Sequence, residues 1–148
     1  MFLGDYEQSL DDKNRVVLPS QLRRGIPEEH LHDRFYIVRS DEDECLELHP
    51  RESWDEFVGE LKQNRDRGHR PWREFLRDLY SSASELQLDK QYRFLVPEAS
   101  KNAVGIDKDL YFVGMGDFIE IWARDRWEKR RTEHAGKRVT PSTRLDRD

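Results

Sequence analysis

Two arginines in this sequence stand in the same local setting. The stretch "LDDKNRVVLP" runs from Leu10 to Pro19, and "LDKQYRFLVP" runs from Leu88 to Pro97. Arg15 and Arg93 therefore each follow an aspartate by four residues and precede three apolar residues and a proline. A guanidinium is a rigid fork that matches guanine edges and phosphate oxygens, so two of them on turns suit contact with nucleic acid. Asp11 and Asp89 can hydrogen-bond the turn backbone and orient the arginines, and Lys13 and Asn14 lie inside the first turn. The plainer role for such a motif is structural, an Asp–Arg pair that closes a turn, and one residue can serve both.

Other reactive groups are less organised. Glu47 and Glu120 occupy matching places, but nothing marks a cleft between them; pairing with Arg51 and Arg124, four residues on, is the better expectation. His30-x-His32 lacks further metal ligands, and His49, His69 and His134 are isolated. No Gly-x-Ser-x-Gly, P-loop or Gly-x-Gly-x-x-Gly motif occurs. No catalytic residue, metal, cofactor or small-molecule substrate is expected. Cys45 is the single cysteine, expected to be buried at the head of a strand, and it excludes an intramolecular disulfide framework. Arg23, Arg24 and Lys101 divide evenly between phosphate contacts and solvated helix ends, and the run "EKRR" (128–131), interspersed with acidic neighbours, is expected as a solvated face.

The elements that carry the two arginines repeat. "FYIV" (35–38) matches "LYFV" (110–113), and "LELHPRESW" (46–54) matches "IEIWARDRW" (119–127); the offset falls from 78 to 75 to 73, so loops differ while elements persist. Two copies of one unit are predicted, 1–60 and 81–135, joined by a connector at 61–80 and followed by a disordered tail at 136–148. Strands are predicted at 2–10, 14–18, 35–39 and 45–48, and again at 83–89, 92–96, 110–113 and 118–122. Hairpin loops fall at 41–44 and 114–117. Short helices are predicted from Pro19 and Pro97, with proline in the first turn. Trp54, Phe57, Val58 and Leu61, then Trp72, Phe75, Leu76, Leu79 and Tyr80, recur at helical spacing and mark two helices, with apolar stripes for core or subunit interface. A small β-unit buries little alone, so two copies are expected to interleave into one barrel.

Composition bounds the rest. The chain has 148 residues, 39% charged and 11% aromatic, which suits one compact domain or two joined halves rather than disorder. There is no signal-peptide pattern at the N-terminus and no apolar run long enough for a membrane helix, so a cytoplasmic protein is expected. Its net charge of −5 leans against nucleic acid, but residues 1–50 hold 6 basic and 12 acidic residues while residues 101–148 hold 11 and 9. Binding responds to local potential, and an acidic total can coexist with a basic face.

Over residues 1–130 the sequence resembles the MraZ family of bacterial transcriptional regulators, through the doubled Asp-x-x-x-Arg motif, the early "MF.G", the "VG" at 113–114 and "EIW" at 120–122. The resemblance implies an α+β, mainly β fold, a pseudo-two-fold barrel of two AbrB/MazE-like units with a helical connector. It also implies sequence-specific binding to double-stranded DNA and repression at short direct repeats upstream of the division and cell-wall gene cluster. Ring-shaped homo-oligomers and a nucleoid-associated location follow from it as well. By position, the DNA-contacting arginines fall on Arg15 and Arg93, with Lys13 beside the first and Asp11, Asp89 and Asn14 as motif support. The family's usual glycine before the arginine is Asn14 here and Tyr92 in the second copy. Tyrosine tolerates the left-handed region at appreciable cost, which leaves room for a second turn of different shape. An antitoxin-like AbrB module and an acidic interaction scaffold without DNA affinity are the alternatives.

Overall fold

The computed structural model of the protein describes residues 1–64 and 70–137. In chain order it contains β1 (Asp5–Ser9), β2 (Arg15–Val17), α1 (Ser20–Arg23), a 3-10 turn at Glu28–His30, β3 (Arg34–Arg39), β4 (Leu46–Pro50) and α2 (Arg51–Asn64). Then come α3 (Arg70–Ser82), β5 (Ser84–Gln87), β6 (Arg93–Leu95), α4 (Glu98–Ala103), β7 (Asp109–Gly114), β8 (Ile119–Ala123) and α5 (Arg124–Glu133). The expected tail lies outside the described residues from 138 onward, as does His69. Pro19 and Pro97 stand one place before their helices rather than within the first turn, because each holds an extended backbone, with ψ at 144° and 137°.

The repeat folds by exchange. A six-stranded antiparallel sheet runs β1-β7-β8-β4-β3-β5, and β2 pairs with β6 in a separate ribbon. The first strand of each copy joins the other copy's sheet: β1 lies on β7, with Asp5 opposite Val113, and β5 lies on β3, with Leu86 opposite Phe35. The pseudo-two-fold axis passes between β4 and β8, where Glu47 faces Glu120, and through the ribbon, where Val16 faces Phe94.

A closed barrel is not what forms. Among the described residues no hydrogen-bonded ladder joins the ribbon to the edges β1 and β5. The ribbon strands are three residues long and pair with each other, and Pro19 and Pro97 lack the N–H that would carry the ladder on. The ribbon instead packs by side chains on one face of the sheet. Val16 and Phe94 meet Phe35, Ile37, Leu48 and Phe112 in one core, with the Phe94 and Phe112 rings edge to face. Burying side chains of this size contributes about 1.5–3 kcal/mol each.

The opposite face of the sheet is covered by helices. Trp54 of α2 stacks on Tyr36, and Phe57 packs against His49; on the other half Trp127 of α5 packs against Trp122. Cys45, Glu120 and His49 are buried there. Glu47 and Glu120 do not pair with Arg51 and Arg124. Glu47 Oε1 meets His49 Nε2 at 2.9 Å, and Trp122 Nε1 donates to Glu120 Oε1 at 2.9 Å. The chain turns from strand to helix between each glutamate and its arginine, which sends the arginine elsewhere: Arg51 to Asp55 and Arg124 to Asp109.

Candidate nucleic-acid interface

Each Asp-x-x-x-Arg stretch forms the same turn. Asp11 Oδ1 accepts the backbone N–H groups of Lys13 and Arg15 at 2.9 and 2.8 Å, and Oδ2 accepts Arg15 Nε at 2.8 Å. Asp89 does likewise for Gln91 and Arg93, at 2.8, 2.9 and 2.9 Å. The Arg15 N–H donated to its carboxylate, helped by the guanidinium, holds Asp11 below the usual carboxylate range. Asp89 is held down in the same way by the Arg93 N–H. Both aspartates stay ionised and fix the arginine at its root. Only Nε is engaged in each case; among the described residues the terminal Nη atoms of Arg15 and Arg93 have no hydrogen-bond partner.

The second turn does not differ in shape. Asn14 and Tyr92 both adopt the left-handed conformation, at φ 60° and 61°. A non-glycine residue there is disfavoured by roughly 1–2 kcal/mol. At Tyr92 the surroundings offset this: the Arg23 guanidinium lies 3.9 Å from the ring centroid, and His32 stacks on the ring. Tyr92 is thus occupied within the protein, between Arg23 and His32. The counterpart of Arg23 is Lys101, whose Nζ donates to Asn14 Oδ1 at 3.2 Å. Each helix end therefore braces the other copy's turn. Backbone bonds cross the same way, Leu18 N–H to Tyr92 O and Val96 N–H to Asn14 O, both at 2.9 Å.

The ribbon brings Arg15 and Arg93 onto one face. Arg15 lies opposite Leu95 and Val17 opposite Arg93, while Val16 and Phe94 point into the core. The arginines are diagonal neighbours, with Cα atoms roughly 7–8 Å apart. Two cations so close would repel, and each carries its own aspartate. Between them the outer face shows two apolar side chains, Val17 at 37% and Leu95 at 55% exposure. The sequence reading left these out, although the alternation in "RVV" and "RFL" signals them: the middle residue is core, so the third faces out beside the arginine. Lys13 is exposed at the turn. Arg24 is exposed, and "EKRR" is largely committed, with Arg130 beside Asp43 and Arg131 donating to Asp5.

The major groove of B-DNA is wide enough to admit a two-stranded β-ribbon. No group of His, Cys, Asp or Glu among the described residues is arranged to hold a metal ion. No described helix is long and apolar enough to cross a membrane.

Known proteins are similar to this one over most of the chain. The family model for the antitoxin-like MraZ protein matches twice, at residues 1–78 and 79–148. A protein of Lachnoclostridium phytofermentans named transcriptional regulator MraZ is 36% identical over 128 residues, covering 86% of this chain and 85% of that one. The proteins of that name from Clostridium beijerinckii and Clostridium botulinum are 36% and 37% identical over 133 and 131 residues, covering 87% and 86% of this chain and 86% and 84% of theirs.

Proposed function

Because the chain belongs to the MraZ family, whose model matches both of its halves, we propose that it is a sequence-specific DNA-binding transcriptional regulator. In this reading the β2–β6 ribbon enters the major groove of double-stranded DNA, Arg15 and Arg93 present their free Nη atoms to guanine edges, and Lys13 meets a phosphate. The observation that carries it is the ribbon itself, two arginines anchored at Nε by their own aspartates on one exposed face. Val17 and Leu95 lie where thymine methyl groups pass. The two units, 1–60 and 81–135, act as one reading head, with the connector at 61–80 outside it.

One ribbon is a small footprint, and affinity then comes from repetition. A ring of identical chains sets ribbons at fixed spacing, and linked weak sites gain through effective concentration. Short direct repeats are the DNA that such a ring fits, upstream of the division and cell-wall genes. A protein seated there represses, in the cytoplasm and on the nucleoid.

An electrophoretic shift with the DNA upstream of the protein's own gene tests this against a scrambled fragment of equal composition. Retardation of the first at a tenfold or greater advantage is expected. Equal affinity for both removes the specific regulator, and no binding to either leaves the acidic scaffold.

A further inference from the structure

His49 is isolated in the sequence, but the fold places a partner on each of its ring nitrogens. Nε2 meets Glu47 Oε1 at 2.9 Å, and Nδ1 meets Ser53 Oγ at 2.9 Å. The imidazole is buried at 3% exposure, among the rings of Trp54, Phe57 and Phe118. Ser53 is half-buried and lines a cleft of about 510 Å³. A carboxylate, an imidazole and a hydroxyl are thus linked in series, and the hydroxyl end reaches an open cavity.

The second copy shows how much of this arrangement the fold itself requires. The repeat offset equates Glu47 with Glu120, His49 with Trp122 and Ser53 with Arg126. Trp122 Nε1 donates to Glu120 Oε1 at 2.9 Å. A ring N–H beside the glutamate is therefore sufficient for packing at this place, and an indole, whose one nitrogen only donates, supplies it. The same bond in the first copy assigns the ring proton to His49 Nε2. Nδ1 is then an acceptor, and the Ser53 hydroxyl donates to it. The first copy has a base and a hydroxyl where its twin has neither.

We infer that Ser53 is a nucleophile with His49 as its base and Glu47 holding the ring, and that it takes acyl groups from small carboxylic esters. The roles are those of a Ser-His-acid triad with the two ring nitrogens exchanged. Ser53 Oγ attacks the ester carbonyl carbon while its proton passes to His49 Nδ1. The intermediate collapses with loss of the alcohol, which takes the proton from Nδ1, and an acyl ester remains on Ser53. Water then attacks the acyl carbon, giving a proton to Nδ1, and Ser53 recovers that proton as the carboxylic acid leaves. Ser53 stands in the first turn of α2, whose N–H groups lack carbonyl partners within the helix and favour the negative charge that develops on the carbonyl oxygen.

The cleft selects among esters. Phe2, Ile26 and Phe35 give it apolar walls. Its two arginines stand beside carboxylates, Arg34 at 3.1 Å from Glu85 and Arg51 at 4.0 Å from Asp55, while Glu52, Glu56 and Asp117 have no ion-pair partner among the described residues. The rim is acidic, so it repels anionic esters and admits uncharged or cationic ones with short apolar acyl groups. His49 and α2 lie on the sheet face opposite the ribbon, and the inference is independent of the DNA reading.

Incubating the full chain with p-nitrophenyl acetate tests it, by release of p-nitrophenolate and by mass spectrometry of the peptide that carries residue 53. The wild type should release p-nitrophenolate faster than buffer does and carry an acetyl group on Ser53. Ser53→Ala keeps the helix and removes the hydroxyl, so both signals should vanish. His49→Gln keeps an N–H for Glu47 but no base, and should lower the rate at least about 100-fold. Glu47→Gln can donate to Nε2 and shift the ring proton to Nδ1; it should lower the rate at saturating ester without changing the ester concentration for half-maximal rate. Circular dichroism shows which variants are folded. A wild type no faster than buffer, acetyl groups confined to lysines, or any folded variant as fast as wild type overturns the inference.

Discussion

At the scale of single residues, the arginines and their aspartates do separable work. Arg15→Ala and Arg93→Ala remove outward forks from a rim whose packing lies in Val16 and Phe94, so both variants should stay folded. Each bidentate base contact carries about 1–3 kcal/mol of discrimination, so titration of a repeat fragment should show losses of roughly 5-fold to over 100-fold per arginine. Folded variants with wild-type affinity would move the interface elsewhere. Asp11 and Asp89 act through pH. Their folded-state pKa lies below the unfolded value, so the unfolded chain takes up the protons first as the medium is acidified. The turns' contribution is full above the unfolded carboxylate value, ~3.9, and is lost as pH falls through the folded one. Denaturant titrations between pH 2 and 5 should show that loss in the wild type, and a shallower one in the double variant Asp11→Asn/Asp89→Asn.

At the scale of elements, the buried carboxylate on the sheet's helical face works in the opposite sense. Burial, then the neighbouring carboxylates Asp43 and Glu47, push Glu120 above its ordinary range, against the Trp122 N–H that favours ionisation. Its contribution is therefore full at low pH and lost as pH rises through the folded value. Glu120→Gln keeps an oxygen for Trp122 Nε1 and removes the buried charge. The thermal midpoint at pH 7 should rise, and the wild type's decline between pH 4 and 7 should flatten; a variant less stable than wild type at pH 7 would count against this. Much of the element plan was readable in advance, because β-strands and the stripes of α2 and α3 have local periods. The pairing was not. Nothing in residues 5–9 says that they lie on 109–113 rather than on their own copy, since alternation marks a strand and not its neighbour. The glutamate partners were misjudged for a related reason: i, i+4 spacing has meaning within one helix, and here it straddles a strand and a helix. The shared turn shape was hidden too, because the groups that stabilise Tyr92 come from Arg23 and His32, far away in sequence.

At the scale of the whole molecule, the net charge of −5 gives a repulsive far field toward DNA, so attraction must be local and sequence-dependent. Each neutralised phosphate releases counterions; if about 4–8 are contacted, log K against log salt should slope at roughly −4 to −7. Titrations between 50 and 300 mM salt with repeat and random fragments measure it. A flat line for the repeat fragment would exclude phosphate contact. The exchange of β1 and β5 also has a bearing on synthesis. Asp5 pairs with Val113, so the N-terminal strand leaves the ribosome long before its neighbour does. At about 5–20 residues per second, β1 waits roughly 5–20 s with its edge bare. Slow translation of the second half would lengthen that wait and leave a strand open to capture by another nascent chain on the same messenger.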